Sequence, residues 1–241
     1  QRTQRKEEMK IKPPENISVY ALDCLEALKE SGLGGHIVLG GAFGLFHYHA
    51  YRTTKDVDAW WTEDATEKNQ QEIVRVLENR LSAHGSVQTR RFGDVVSVDL
   101  SDGSRPIFSF QIARRSARIG QTEESPWPPV RLDSLKDLVA SKMSALVQRG
   151  VPRDFLDIYT ICQQRLASVE TCWQYFEERE RKRGVTRTDR LQACEAVLLH
   201  LSRIERMRPL DKIADEQEKE NAFRVRNWFK KRFCEEPREP D

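Results

Sequence analysis

Val38-Leu39-Gly40-Gly41, followed after a polar and aromatic spacer by Arg52-Thr53-Thr54-Lys55-Asp56-Val57-Asp58, sets a glycine pair and two carboxylates in one short supersecondary unit. Val57 separates the two aspartates and Ala59-Trp60-Trp61 continue the apolar character, so residues 56–61 read as a strand whose alternation puts Asp56 and Asp58 on one face. Their side chains leave that strand about 7 Å apart, two rises of roughly 3.3 Å. Two hard oxygen donors at this spacing suit one Mg²⁺, or a pair of ions about 3.5–4 Å apart, better than they suit a packed sheet face. Burying both without a partner would be costly.

Each half of the pattern has an ordinary explanation: Gly-Gly after Ile37-Val38-Leu39 fits a plain strand-to-helix turn, and Asp-x-Asp is short enough to arise by chance. Together they say more. Glycines that end an apolar strand and open a helix let backbone N–H groups come close to a phosphate. The residues between, Ala42 to Ala50, read as that helix, with Phe43, Phe46, His47 and Ala50 at helical spacing.

A second block reads as two helices. Ser134 and Asp137 mark a start, Leu135, Leu138, Val139, Met143 and Leu146 form an apolar stripe, and Gly150 with Pro152 gives a stop followed by a first-turn proline. Lys142 lies one turn from Leu138 and Leu146, a cation on an apolar stripe; a snorkelling lysine is the plain alternative. On the following helix Asp154 and Asp157 share a face, and Arg153 stands four residues before Asp157, the spacing of an ion pair. Acids in a first helical turn also answer the helix dipole.

The order Gly-Gly, helix, Arg-x-Thr-x-Asp-h-Asp resembles the nucleotidyltransferase superfamily that includes polymerase beta, and most closely its AbiEii-like branch, the toxins of type IV toxin–antitoxin and abortive-infection systems. Leu135 to Leu146 and Arg149 to Tyr159 are similar to the branch's A-x-K-x-x-A-L and R-x-x-x-R-D-x-x-D-h-Y signatures, and the resemblance spans about residues 36–160. It implies Mg²⁺-dependent transfer of a nucleoside monophosphate from an NTP to an acceptor hydroxyl, with pyrophosphate leaving. In that scheme Asp56 and Asp58 hold the metal, and Gly40, Gly41, Arg52, Thr54 and Lys142 hold the nucleotide. Lys142 offsets charge on the pyrophosphate, and Asp154 or Asp157 orients the acceptor or takes its proton. The branch also implies tRNA or another RNA as acceptor and a cognate antitoxin protein as partner. The family pattern places a third acid within Ile107-Phe108-Ser109-Phe110-Gln111-Ile112, where this chain carries Gln111; Asp99, Asp154 and Asp157 are the substitutes within reach of the reading. Two other functions share these residues: transfer to a small molecule, as in antibiotic nucleotidyltransferases, and a degenerate member that binds a protein partner through its helices.

The 241 residues are enough for a sizeable core. With 40 Lys+Arg against 38 Asp+Glu, bulk charge does not advertise a nucleic-acid partner, and any RNA must be met by a local patch. Arg90, Arg91, Arg105, Arg114, Arg115 and Arg118 supply one candidate, Arg179 to Arg183 and Lys230 to Arg232 two more; each is also what an ordinary solvated face looks like. Cys24, Cys162, Cys172, Cys194 and Cys234 show neither metal spacing nor a disulfide framework, which fits a reducing, cytoplasmic setting. No apolar run approaches the roughly 20 residues that cross a bilayer. The opening Gln1 reads as a trimmed start.

The chain therefore reads as α+β, a mixed-sheet lobe over 1–125 and an α-helical lobe over 126–241, divided near Ser125-Pro126-Trp127-Pro128-Pro129. Residues 1–16 read as a loose lead-in. The expected elements of the first lobe are helices over 18–30, 42–50 and 66–83 and strands over 36–39, 56–61, 87–91, 94–100 and 107–112.

Overall fold

The computed structural model describes residues 11–234, so most of the expected lead-in lies outside the described residues. The fold is α+β, and the described chain falls into two compact units. One runs to Ser116 and resumes over Gly120–Leu135; the other takes Ala117–Ile119 and the chain from Lys136 onward.

The first unit is built on a seven-stranded sheet. Its strands are β1 (Ile37–Leu39), β2 (Asp56–Trp61), β3 (Ser86–Phe92), β4 (Val95–Asp102), β5 (Arg105–Ala113), β6 (Glu123–Glu124) and β7 (Arg131–Leu132), in the spatial order β3-β4-β5-β2-β1-β7-β6. Strands β3, β4 and β5 form an antiparallel meander, β5 lies parallel to β2, β2 is antiparallel to β1, and β1 is parallel to β7. Strands β6 and β7 are absent from the sequence reading, because two-residue strands are too short to show any alternation. The Ser125-to-Pro129 segment belongs to this unit: Trp127 is buried in its core and the Ser125 hydroxyl donates to the Val130 carbonyl at 2.6 Å.

Alternation gives the sheet one apolar face, carrying Val57, Ala59 and Trp61 from β2, Phe108, Phe110 and Ile112 from β5, and Val96, Val98 and Leu100 from β4. Helices α1 (Val19–Glu30) and α3 (Glu67–Leu81) cover it through Leu25, Leu28, Ile73 and Leu77. Both begin on side-chain caps, Ser18 accepting from the Ala21 N–H and Thr66 from the Asn69 N–H. The helix after the glycine pair, α2 (Gly41–Phe46), is shorter than the expected 42–50 and leaves Ala50 outside. His47 caps its end with Nδ1 3.0 Å from the Phe43 carbonyl oxygen, and burial between Phe43 and Trp127 pushes its pKa down to about 4, so it is neutral at physiological pH.

The second unit holds α4 (Leu135–Gln148), α5 (Pro152–Gln163), α6 (Val169–Lys182), α7 (Arg190–Met207) and α8 (Glu216–Trp228), followed by a π-helical turn over Phe229–Phe233. The helices stop where the sequence predicts, at Gly150 and Gly184, both with positive φ, and before Pro209. Their shared core is aromatic. Phe155 meets Phe229 with ring centroids 4.8 Å apart, and Phe233 stands 4.7 Å from Phe229 and 5.2 Å from Trp173.

Candidate active site

Strand register brings the glycine pair onto Asp58. Leu39 is paired with Ala59, so the next residue, Gly40, lies across from Asp58 and donates its N–H to the Asp58 carbonyl at 2.8 Å. Gly41 then takes φ +58°, a left-handed conformation that glycine adopts without steric cost. A Cβ at Gly41 would collide with the Asp58 carboxylate and stand 2.6 Å from its Cγ, and one at Gly40 would collide with the Trp60 indole nitrogen. Both glycines are therefore required by what faces them: the space a side chain would fill at 41 is where the Asp58 carboxylate sits.

Asp133, which the sequence reading passes over, braces this turn. Its N–H donates to the Leu39 carbonyl at 2.9 Å, and its carboxylate accepts the Trp60 indole N–H at 2.9 Å and pairs with Arg115. Arg115 in turn lies over the Trp60 ring, 5.4 Å from its centroid. No local signal marks Asp133, since it becomes part of the site only through β7 lying parallel beside β1.

Asp56 and Asp58 share the face of β2 opposite the core and are half-buried. Register extends this face sideways in two rows. Asp56 is level with Ser109 on β5, Asp99 on β4 and Gln88 on β3; Asp58 is level with Gln111, Ser97 and Arg90. The third-acid position of the sequence reading thus sits directly beside Asp58 and carries an amide. Asp99 is two strands from β2. Lys55, Asp56, Gln88, Arg90, Asp99 and Gln111 help line an open hollow of about 400 Å³ over these rows.

The row residues are already hydrogen-bonded to one another. Gln111 Nε2 donates to Ser109 Oγ at 3.1 Å, the Ser109 and Ser97 hydroxyls are 3.0 Å apart, Ser97 donates to Asp99 Oδ1 at 2.8 Å, and Arg90 Nε donates to Asp99 Oδ2 at 2.7 Å. Burial raises the Asp99 pKa, but the bonds from Arg90, Ser97 and Ser109 and the Arg90 charge outweigh it and hold the carboxyl below its ordinary value. The strictly alternating Val96-Ser97-Val98-Asp99-Leu100 and Phe108-Ser109-Phe110-Gln111-Ile112 were the available signal for Ser97 and Ser109.

The other nucleotide candidates of the sheet unit have local partners. Thr54 Oγ1 accepts the Asp56 N–H at 3.2 Å, which fixes the turn leading into β2. Arg52 lies over the Phe46 and Tyr51 rings at 5.3 and 5.8 Å. In the helical unit, Lys142 on α4 and Asp157 on α5 form a buried ion pair at 2.7 Å. Asp154 is fully buried: Arg149 Nε and Nη2 each donate to it at 2.9 Å, and it accepts the Val151 N–H at 3.1 Å. These bonds lock the turn at Gly150 to the first turn of α5.

Two carboxylates on one strand are a donor set that Mg²⁺ accepts, since it binds through one or two carboxylates and completes its shell with water and substrate phosphates. Among the described residues no group of three His, Cys, Asp or Glu side chains gathers around an ion position. No described helix is long and apolar enough to cross a membrane. No curated protein matches the chain. The family model described as nucleotidyl transferase AbiEii toxin, type IV toxin–antitoxin system, matches residues 23–227, a span that takes in both the sheet face of Asp56 and Asp58 and the Lys142–Asp157 pair. With well over half of its length matched, this chain belongs to the AbiEii nucleotidyltransferase toxin family.

Proposed function

We propose that the chain transfers a nucleoside monophosphate from an NTP to an acceptor hydroxyl, with Asp56 and Asp58 holding Mg²⁺. In the reaction a bond forms between the acceptor oxygen and the α-phosphorus, the bond from that phosphorus to the bridging oxygen breaks, pyrophosphate leaves, and the proton of the acceptor hydroxyl passes to solvent water. Bound at the two carboxylates, Mg²⁺ would neutralise phosphate charge and lower the pKa of the attacking hydroxyl. The observation that carries this reading is the seat of the Asp58 carboxylate against the bare Cα of Gly41. It ties the metal-binding side chain to a stretch of backbone that has no side chain to keep a phosphate away. Gly41 offers that backbone while the Gly40 N–H, bonded to the Asp58 carbonyl, holds the turn beside it, and the Arg52 guanidinium, stacked on Phe46 and Tyr51, offers charge to the nucleotide.

Thr54 serves this scheme by setting the direction of Asp56, the use its hydroxyl already has. Lys142 is proposed to offset charge on the leaving pyrophosphate, with Asp157 holding its ammonium in place. Asp154 is assigned to the fold of the turn before α5, because every bond it makes is to that turn. The proposed acceptor is RNA, with tRNA as one member of that class, and the proposed partner is a separately encoded antitoxin, both on the strength of family membership.

The test is incubation of the purified chain with each α-labelled NTP and Mg²⁺, with total RNA or without it. Label appearing on RNA supports the reading. Label on a small molecule moves the chain to the antibiotic-type alternative, and label on nothing leaves a partner-binding protein. Asp56→Asn and Asp58→Asn should each abolish transfer and leave the melting temperature unchanged or slightly raised, because adjacent like charges cost folding energy when no metal offsets them. Full activity in either variant removes the metal assignment.

A further inference from the structure

The polar rows beside Asp58 carry a feature that the reaction scheme does not use: a chain of hydrogen bonds with a fixed direction. Asp99 is an acceptor at both oxygens, one taken by Arg90 and one by Ser97. The Ser97 hydroxyl has a single proton and points it at Asp99, so at its contact with Ser109 it can only accept. The single Ser109 proton is likewise used toward Ser97 and Asp99, which leaves the Ser109 oxygen to accept from Gln111. That contact has to be the Gln111 N–H₂, and the other arm of the amide is its carbonyl oxygen. An amide is ambiguous by shape alone, but here the neighbouring charge settles which arm is which. Gln111 is level with Asp58, so the row beside the two carboxylates carries a neutral amide whose N–H₂ is held by Ser109 and whose orientation is set from two strands away.

Resting on the metal reading given above, we infer that this site takes one divalent cation rather than two, with the Gln111 carbonyl oxygen as a third, uncharged protein donor and Asp99, through Ser97 and Ser109, as the residue that positions it. Charge sets the number. Two carboxylates balance a single 2+ ion, whereas a second ion about 3.5–4 Å away would need further anionic ligands. The next carboxylate on this face, Asp99, is committed to Arg90 and Ser97, and among the described residues no third acidic or imidazole side chain joins Asp56 and Asp58. An amide oxygen suits a hard cation without adding charge.

Manganese serves as the probe, because its spin reports both number and separation. The full chain is titrated with Mn²⁺ alone and the bound ions are counted by electron paramagnetic resonance. The expected result is one bound ion per chain with an uncoupled signal, lost in an Asp56→Asn, Asp58→Asn double variant. A spin-coupled pair in the unaltered protein overturns the inference while leaving the carboxylate site intact. Binding that is identical in the unaltered protein and the double variant instead overturns the metal reading itself. Gln111→Leu keeps the bulk and removes the oxygen, and should weaken the single ion at least tenfold, while Gln111→Glu should tighten it and admit a second. Ser109→Ala cuts the chain without touching the Arg90–Asp99 pair and should weaken Mn²⁺ binding by roughly tenfold, the low end for loss of a group that orients a ligand. Asp99→Asn should do the same with the ion count unchanged. Unaltered affinity in both Ser109→Ala and Asp99→Asn, with normal melting temperatures, removes the positioning role.

Discussion

Gly41 shows how much of a residue's role lies in what faces it. Its conformation, φ +58°, costs a residue with a side chain about 1–2 kcal/mol, and the position of the Asp58 carboxylate adds a collision to that strain. Gly41→Ala is therefore expected to lower stability by at least that amount. Because the collision displaces the proposed metal ligand, it should also cut transfer by about a hundredfold, the effect of an ångström-scale misplacement. Thermal melts and an activity assay on the same preparation check this; a variant that keeps its activity would show that Asp58 has no need of its seat. The glycine pair and the two aspartates could be read in the sequence because each sits in a local pattern, strand then turn, or alternation along a strand. Asp133 and the part that Arg115 plays beside it could not be read, since both depend on β7 lying beside β1, whereas alternation along β4 and β5 places Ser97 and Ser109 on the polar face and only their bonds wait on strand pairing. The amide at position 111 was legible as a departure from the family pattern. Its consequence was not, because the direction of its hydrogen bond depends on Asp99 and Arg90.

Among the elements, those with a clear apolar pattern were legible, the three-residue β1 among them, and the two-residue strands were not. The 15-residue helix α3 and the strands β4 and β5 lie within two residues of their expected ends on one side or both, whereas α2 stops four residues early and β6 and β7 appear only in three dimensions. The joint between α4 and α5 shows the same limit. Spacing along α5 suggests a pairing of Arg153 with Asp157, whereas the structure pairs Asp157 with Lys142, on another helix, and the contact depends on how the helices pack. Both side chains are nearly out of water, so Lys142→Ala removes a cation paired with a buried carboxylate and should cost about 3–5 kcal/mol. The double replacement Lys142→Met with Asp157→Leu should restore most of that stability, because well-packed apolar groups of similar size often match a buried ion pair. Under the proposed function the double variant nonetheless stays inactive. Recovery of turnover together with stability would make the pair purely structural, and urea unfolding with an NTP-transfer assay on the three proteins separates the outcomes.

For the whole molecule, the near balance of 40 cations against 38 anions is repeated locally. Of the thirteen cations in the basic clusters that stand out in the sequence, four are paired with carboxylates, Arg90 with Asp99, Arg115 with Asp133, Arg183 with Glu180 and Lys230 with Glu205, while Arg179 is buried and donates to Ser141. Cations held by carboxylates release few counterions when a polyanion approaches, so each cluster should meet fewer RNA phosphates than its residue count suggests. Each single-stranded contact contributes roughly −0.7 to the slope of log K against log salt, so two contacts predict a slope of about −1.4. Filter binding of a labelled single-stranded RNA to the Asp56→Asn, Asp58→Asn protein, which cannot turn the strand over, measures that slope between low and physiological salt. A value of about −5 or steeper would require some seven phosphate contacts and would mean that the paired arginines exchange their carboxylates for RNA on binding. A shallow slope with transfer to RNA still present would place recognition of the acceptor in the shape and hydrogen bonding of the sheet face, where Gln88, Ser101, Ser109 and Gln111 line the hollow beside Asp56.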